Sequence, residues 1–157
     1  MMRRLDWVAV FLVAGLAGAI AAPAWNSKDG VIFPANTAQS LLHQCSRGTP
    51  QGVKGFWLPQ INQIAELEQR LPEILEKTLS GQWHPSVQDY KRQYAGLIVK
   101  ERKIIYVNGF LSGKEDRGSA TWRTNPVVVC DGGNSFFGVE YDPQTKTFQS
   151  LGFNGVA

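Results

Sequence analysis

The sequence predicts an α+β fold, in which an N-terminal amphipathic helix packs on an antiparallel meander of about five strands. Two observations predict it. Between residues 61 and 79, apolar residues recur at steps of three and four, which is the spacing of one buried helix face. Beyond residue 90, runs rich in β-branched and aromatic residues alternate with turn sequences. Because a single amphipathic helix must bury its apolar side, we expect a two-layer domain with the helix lying on the sheet.

The predicted helix begins after Pro59, which suits a first helical turn, and ends at Gly81. Pro72 falls inside it. Because proline lacks a backbone donor and clashes with the preceding turn, we expect either a kink near Leu71 or two consecutive helices, the second opened by Pro72. The apolar stripe consists of Ile61, Ile64, Leu67, Leu71, Ile74, Leu75 and Leu79.

The strands are predicted from the C-terminal half of the chain. Residues 94–99 and 104–110 form a hairpin whose tip is the charged stretch 100–103. Three further strands are predicted at residues 127–130, 136–141 and 147–153. Residues 131–134 and 142–146 carry the turn-forming residues expected between them.

Residues 1–24 have the order of a secretory signal: Arg3 and Arg4, an uncharged run over 7–24, and small residues at its end. Ala and Gly dominate the second half of the run and insert weakly into lipid, so cleavage is favoured. An uncleaved membrane anchor stays as the alternative, since 18 residues is near the minimum for a span. Residues 25–58 are predicted to be an irregular segment with one short helix, and residues 59–157 the helix-plus-sheet domain.

The only two cysteines are Cys45 and Cys130. In an exported chain a single disulfide is the default for such a pair, and it would staple the early segment to the sheet. A metal site with His43 and His84 is disfavoured, because the spacings match no compact zinc pattern. A catalytic cysteine is disfavoured more strongly, because an oxidising compartment does not preserve a free reactive thiol.

Charge and composition argue against several functions. Without Arg3, Arg4 and Asp6 the formal net charge falls from +3 to +2, which does not predict a nucleic-acid-binding protein. No Ser/His/Asp arrangement or carboxylate pair of a catalytic kind is evident. We therefore expect no catalytic residues, no cofactor and no metal, and no membrane span once the signal is removed.

Two groups of residues are candidates for binding. Aromatic residues in or beside predicted loops would suit a protein or glycan surface: Trp57, Trp83, Trp122, Phe136 and Phe137. A second candidate is the glycine-rich turn of Asp131, Gly132, Gly133 and Asn134, whose amides could face an anion. A plain hairpin turn beside a paired Cys130 is the favoured interpretation of that turn.

The helix-then-meander order over residues 59–153 resembles the cystatin-like group, which includes cystatins and NTF2-like domains. The residues around 106–109 lack the Gln-x-Val-x-Gly sequence of the cystatin inhibitory hairpin, so protease inhibition is not carried over. The runs 90–96, 105–108 and 130–142 are also similar to uncharacterised exported proteins of Gram-negative bacteria. That resemblance implies an envelope location and no activity.

These observations predict a small periplasmic or secreted protein that binds or inhibits another envelope or secreted protein and is not an enzyme. One alternative is a small-ligand-binding or enzymatic domain, with a pocket between helix and sheet lined by Tyr94, Tyr106, Tyr141 or a buried histidine. The other alternative is a structural envelope component held by an uncleaved N-terminus.

Overall fold

The computed structural model describes residues 27–79, 84–111, 113 and 120–156, and the predicted signal lies outside them. The fold is α+β, with a six-stranded, mostly antiparallel sheet and few helices. The strands are β1 (Gly30–Ile32), β2 (Val53–Trp57), β3 (Tyr90–Val99), β4 (Arg102–Leu111), β5 (Phe136–Asp142) and β6 (Thr147–Phe153), and the α-helices are α1 (Ala35–Ala38) and α2 (Ile61–Thr78). Short 3₁₀ helices occupy Gln39–Leu42, Val87–Asp89, Ala120–Arg123 and Gly133–Ser135.

The sheet is built on the meander β3–β4–β5–β6, and β1 and β2 both pair with the outer side of β3. β1 runs parallel to β3 opposite Arg92–Tyr94, whereas β2 runs antiparallel opposite its second half. The long β3–β4 hairpin pairs Tyr90 with Leu111 at its base and Val99 with Arg102 at its tip. Residues 25–58, predicted to be irregular apart from one short helix, thus contribute two strands as well as α1.

One predicted strand is wrong. Residues 127–130 form no strand, although their sequence is Val-Val-Val-Cys. Their backbone runs as an irregular loop over the sheet, and carbonyls of this loop accept hydrogen bonds from the side chains of Asn108 in β4 and Asn154 just after β6 instead of from a neighbouring strand. β-propensity reports how well a residue suits a half-buried surface, and a covering loop offers such a surface too.

α2 begins with a capping box, in which the side chains of Gln60 and Gln63 bond each other's backbone amides. Pro72 lies inside this single helix, so the two-helix alternative is wrong. The helix covers one face of the sheet and buries Ile64, Leu67, Leu71 and Leu75 against it. Within the described residues, no helix is long and apolar enough to cross a membrane.

Both faces of the sheet are covered, not one. Opposite α2, a second cluster packs on the sheet, formed by α1, the 3₁₀ helix after it and the 3₁₀ helix of Trp122. Its buried members are Val31, Phe33, Ala38, Leu41, Ala95, Leu97, Ile104, Tyr106, Phe110 and Trp122. We call the two sides the helix face and the loop face.

Candidate functional site

Cys45 and Cys130 form the predicted disulfide, with their Cα atoms 5.0 Å apart. It joins the segment after α1 to the loop that covers the loop face. Because both cysteines of the chain are paired, neither is available as a nucleophile or a metal ligand. Among the described residues, no cluster of histidine, cysteine and acidic side chains could hold a metal ion.

A buried arginine lies beside the disulfide. Arg47 is only 9% exposed, and its guanidinium donates to the side-chain oxygens of Asn108 and Asn154 and, at 3.4 Å, to the Tyr106 hydroxyl. Within the described chain it has no carboxylate within ion-pair distance. Gly138 makes room for this arrangement, because a Cβ there would lie 2.5 Å from the Tyr106 oxygen and 2.8 Å from Arg47 Nε.

The same amides hold the irregular loop. Asn108 Nδ2 donates to the Val127 carbonyl at 2.9 Å, and Asn154 Nδ2 donates to the Val129 carbonyl at 2.6 Å. Gln93 donates to the Trp122 and Asn125 carbonyls and accepts from Asn108. Buried backbone carbonyls need such partners where no strand supplies them. We call Arg47, Gln93, Asn108 and Asn154 the polar network; its role is to attach the loop to the sheet.

The glycine-rich turn is held by hydrogen bonds to other parts of the fold. Gly132 and Gly133 have φ of 93° and 55°, a conformation that favours glycine. The Gly133 amide donates to the Gly155 carbonyl at 3.0 Å, and the Tyr90 hydroxyl donates to the Asn134 carbonyl at 2.5 Å. The Asp131 carbonyl accepts from Asn154. Because the Gly133 amide is already bonded within the fold, this geometry favours the plain turn over an anion site.

The candidate aromatic residues do not converge on one surface. Trp122 is 6% exposed and packs edge-on against Phe110, whereas Phe137 is fully buried on the helix face against Tyr90. Phe136 is half-buried on the loop face. Trp122 and Phe137 are therefore not part of an exposed surface, because both faces of the sheet are covered. Trp83 lies outside the described residues.

Trp57 differs from the other aromatic candidates. Its ring is half-buried, its indole donates to the Leu97 and Ile104 carbonyls at 3.1 and 3.2 Å, and the Lys103 ammonium lies 5.2 Å from the ring centroid. Gly96 permits this, since a Cβ there would lie 2.2 Å from the Trp57 carbonyl oxygen. Trp57 is thus fixed in position while part of its ring faces solvent.

Two exposed apolar residues closely follow Trp57 in the chain. Leu58 is 47% exposed and Ile61, at the start of α2, is 50% exposed. A neighbouring cleft of about 390 Å³ brings Gln63 of α2 together with Lys103 at the β3–β4 tip and Gln144 at the β5–β6 turn. We call this the tip surface: Trp57, Leu58, Ile61, Gln63, Lys103 and Gln144. Sequence reasoning found only Trp57, because Leu58 and Ile61 are indistinguishable from core residues in an apolar pattern.

The middle of the interface between α2 and the sheet is occupied by packed side chains. Tyr94 is fully buried there, and its hydroxyl donates to Glu68, whose carboxylate also lies 2.8 Å from Arg92. Tyr106 lies on the loop face instead. The three tyrosines proposed to line a single pocket therefore do not face one cavity.

Comparisons with protein families, curated proteins and solved structures find no match to this chain. The resemblance to the cystatin-like group and to exported Gram-negative proteins therefore stays a prediction.

Proposed function

We propose that this chain is a small exported, non-catalytic protein of the bacterial envelope that binds a protein partner through the tip surface. The observation that carries the proposal is that two half-exposed aliphatic residues, Leu58 and Ile61, follow within four positions of Trp57, whose indole is hydrogen-bonded to the sheet. Binding hot spots combine a fixed aromatic residue with neighbouring apolar area. Covering the exposed half of each aliphatic side chain would contribute about 1 kcal/mol.

The proposal includes an exported location, in the periplasm or outside the cell. The order of charge, apolar run and small residues over 1–24 supports a cleaved signal, and the Cys45–Cys130 disulfide is compatible with a periplasmic or secreted protein. N-terminal sequencing of the native protein tests this. We expect a start within a few residues of position 24, whereas a start at Met1 or Met2 would favour the anchored alternative.

A pocket for a small ligand between helix and sheet receives less support. Leu67, Leu71 and Leu75 of α2 pack with sheet residues in one buried cluster, and the partly exposed Glu68 pairs with the buried Arg92 of β3. Small-molecule pockets need open volume at such a place. The favoured mode is therefore binding at the surface.

Site-specific photo-crosslinking tests the tip surface. A photoreactive amino acid in place of Ile61 is expected to crosslink one defined protein in an extract of the native envelope. The band should disappear when excess unlabelled wild-type protein competes. The matched control is the same amino acid in place of Val128, which is 43% exposed on the loop face.

Competition by an unlabelled variant distinguishes specific binding from non-specific adsorption. Unlabelled Leu58→Ser should compete at least several-fold less well than wild type, while Val128→Ser should compete normally. Because both residues are exposed, neither variant should alter folding by more than about 0.5 kcal/mol. A crosslink from position 61 that does not saturate, or equal crosslinking from position 128, would contradict the proposal.

A further inference from the structure

A second surface feature lies at the other end of α2, beside the edge strand β6. A groove of about 230 Å³ separates the C-terminal half of the helix from the start of β6. Its helix wall carries Arg70, Glu73, Ile74 and Lys77, and its strand wall carries Lys146, Thr147 and Phe148. We call it the α2–β6 groove. The tip surface, in contrast, borders the first turn of α2.

The groove has an excess of positive charge. Lys146 is neutralised by Glu66, whose carboxylate lies 2.5 Å from its ammonium. In the described part of the chain, Arg70 and Lys77 have no ion-pair partner within 4 Å, and Glu73 between them has none either. Two cations and one carboxylate leave one positive charge, which a single carboxylate of a ligand would balance.

The groove also has an apolar side. Phe148 and Ile74 are half-buried, and both pack against the core of the helix face. Below Phe148, the buried Tyr141 hydroxyl has no hydrogen-bond partner in the described part of the chain. The charged groups around that hydroxyl are Glu66, Arg70 and Lys146. A ligand suited to this place therefore combines an apolar group with a carboxylate.

The backbone beside the groove favours a strand as the ligand. β6 ends the sheet, and the described residues place no strand on its outer side. The register shift between Gly138 and Glu140, with Ser150 at a φ of 56°, bends the far half of β6 and leaves 147–149 as the regular part of this edge. A volume of 230 Å³ is below the range of small-molecule pockets but sufficient for one or two side chains of a peptide.

We propose that the α2–β6 groove binds an extended acidic peptide segment of a partner protein. The peptide would pair with the edge of β6 at 147–149, insert an apolar side chain against Phe148 and Ile74, and direct one carboxylate to Arg70 and Lys77. This is strand addition, in which main-chain hydrogen bonds supply affinity and side-chain pockets supply selectivity.

The test uses a fluorescein-labelled peptide of alternating glutamate and valine, titrated into the full protein at low ionic strength and followed by fluorescence anisotropy. Binding should perturb the backbone amide NMR signals of Phe148 and Gln149. The Arg70→Gln and Lys77→Gln variants should each weaken binding about two- to fivefold, as expected for one exposed ion pair. Glu73→Gln should strengthen binding by a similar factor.

Two control variants distinguish an effect at the groove from a general effect of net charge. Lys54→Gln removes the same charge from β2, on the side of the sheet away from β6, and Glu76→Gln removes a carboxylate from an exposed position of α2 outside the groove. Both should leave the dissociation constant unchanged. Absence of binding at millimolar peptide would overturn the proposal, as would equal weakening by Lys54→Gln. Equally strong binding of free glutarate, or of a glutamine–valine peptide, would overturn it as well.

Discussion

The helix face of the sheet is covered by one regular element, α2. The loop face is covered by short helices and an irregular loop. α2 satisfies most of its own backbone hydrogen bonds, so it needs only an apolar stripe and one partly buried ion pair to attach to the sheet. The loop over residues 124–131 cannot do this. Its carbonyls are bonded by side chains of the polar network, and a disulfide holds its end.

An irregular loop that packs on a sheet needs hydrogen-bond partners for its backbone carbonyls from elsewhere in the fold. A fully buried carbonyl without a partner costs about 1–3 kcal/mol, and the loop carbonyls that the polar network binds are partly buried, so each would cost part of that amount without the network. The network therefore does for the loop what the helical hydrogen-bond pattern does for α2. The loop face depends on a few specific residues, and the helix face on a repeated pattern.

Removing the disulfide should produce the largest effect. The Cys45→Ser/Cys130→Ser double variant opens a cross-link between residues 85 positions apart, and the free energy of unfolding should fall by about 4 kcal/mol. Urea denaturation measures the loss. Native-state hydrogen exchange should locate it: the hydrogen-bonded amides of Asn125 and Val127 should exchange by local opening, while those of α2 should still require global unfolding. Equal local opening on both faces would contradict the comparison.

Removing the centre of the polar network should have the next largest effect. Arg47→Leu leaves the side-chain oxygens of Asn108 and Asn154 without their donor, and we expect a loss of about 3 kcal/mol in the free energy of unfolding. Arg47→Lys should restore little of it, because an ammonium cannot reproduce the guanidinium fork. Urea denaturation of both variants gives the measurement.

Arg102→Leu is the control for that prediction. Arg102 is half exposed and pairs with Asp142 at 3.2 Å, and the Asp142 carboxylate still accepts from the Gln144 and Thr145 amides when the arginine is removed. The expected loss is below about 1 kcal/mol. If the two arginine variants lose equal stability, the polar network is not the element that holds the loop face.

The same difference explains what could be predicted from the sequence. The meander β3–β6 follows from hydrophobic alternation and turn residues, which are local. The polar network joins residues as far apart as Arg47 and Asn154, so no local pattern contains it. Asn108 is the one residue that could have indicated the network from sequence, because asparagine is unfavourable in the middle of a buried strand and so suggests a buried hydrogen-bond partner.

The burial of two aromatic candidates, Trp122 and Phe137, has a related reason. A two-layer fold leaves one face of the sheet in solvent, so one of the adjacent residues Phe136 and Phe137 had to point outwards. The structure places them on opposite faces, as alternation requires, but the loop face is covered as well. The layer on the loop face could not be predicted from periodicity, because the covering loop is irregular and β1 is only three residues long.

The smallest effect at neutral pH concerns the tyrosines, three of which lie on the helix face and one, Tyr106, on the loop face. Burial raises the pKa of all four, that of Tyr90 to about 12. In the unfolded chain they ionise near pH 10, so above that pH the unfolded state loses protons that the folded state retains. Stability should therefore be unaffected up to about pH 9 and fall as the pH rises towards 12.

Ultraviolet absorbance of the phenolate should then rise together with loss of the folded circular dichroism signal, not before it. Tyr141→Phe sharpens the measurement, because the Tyr141 hydroxyl is buried without a hydrogen-bond partner in the described part of the chain. Its removal should leave stability at pH 7 unchanged or slightly higher and make the alkaline decline shallower. Tyr106→Phe should lower stability at pH 7, since it removes an acceptor of Arg47. Equal behaviour of the two variants at pH 7 would mean that a hydroxyl on the loop face matters no more than one on the helix face.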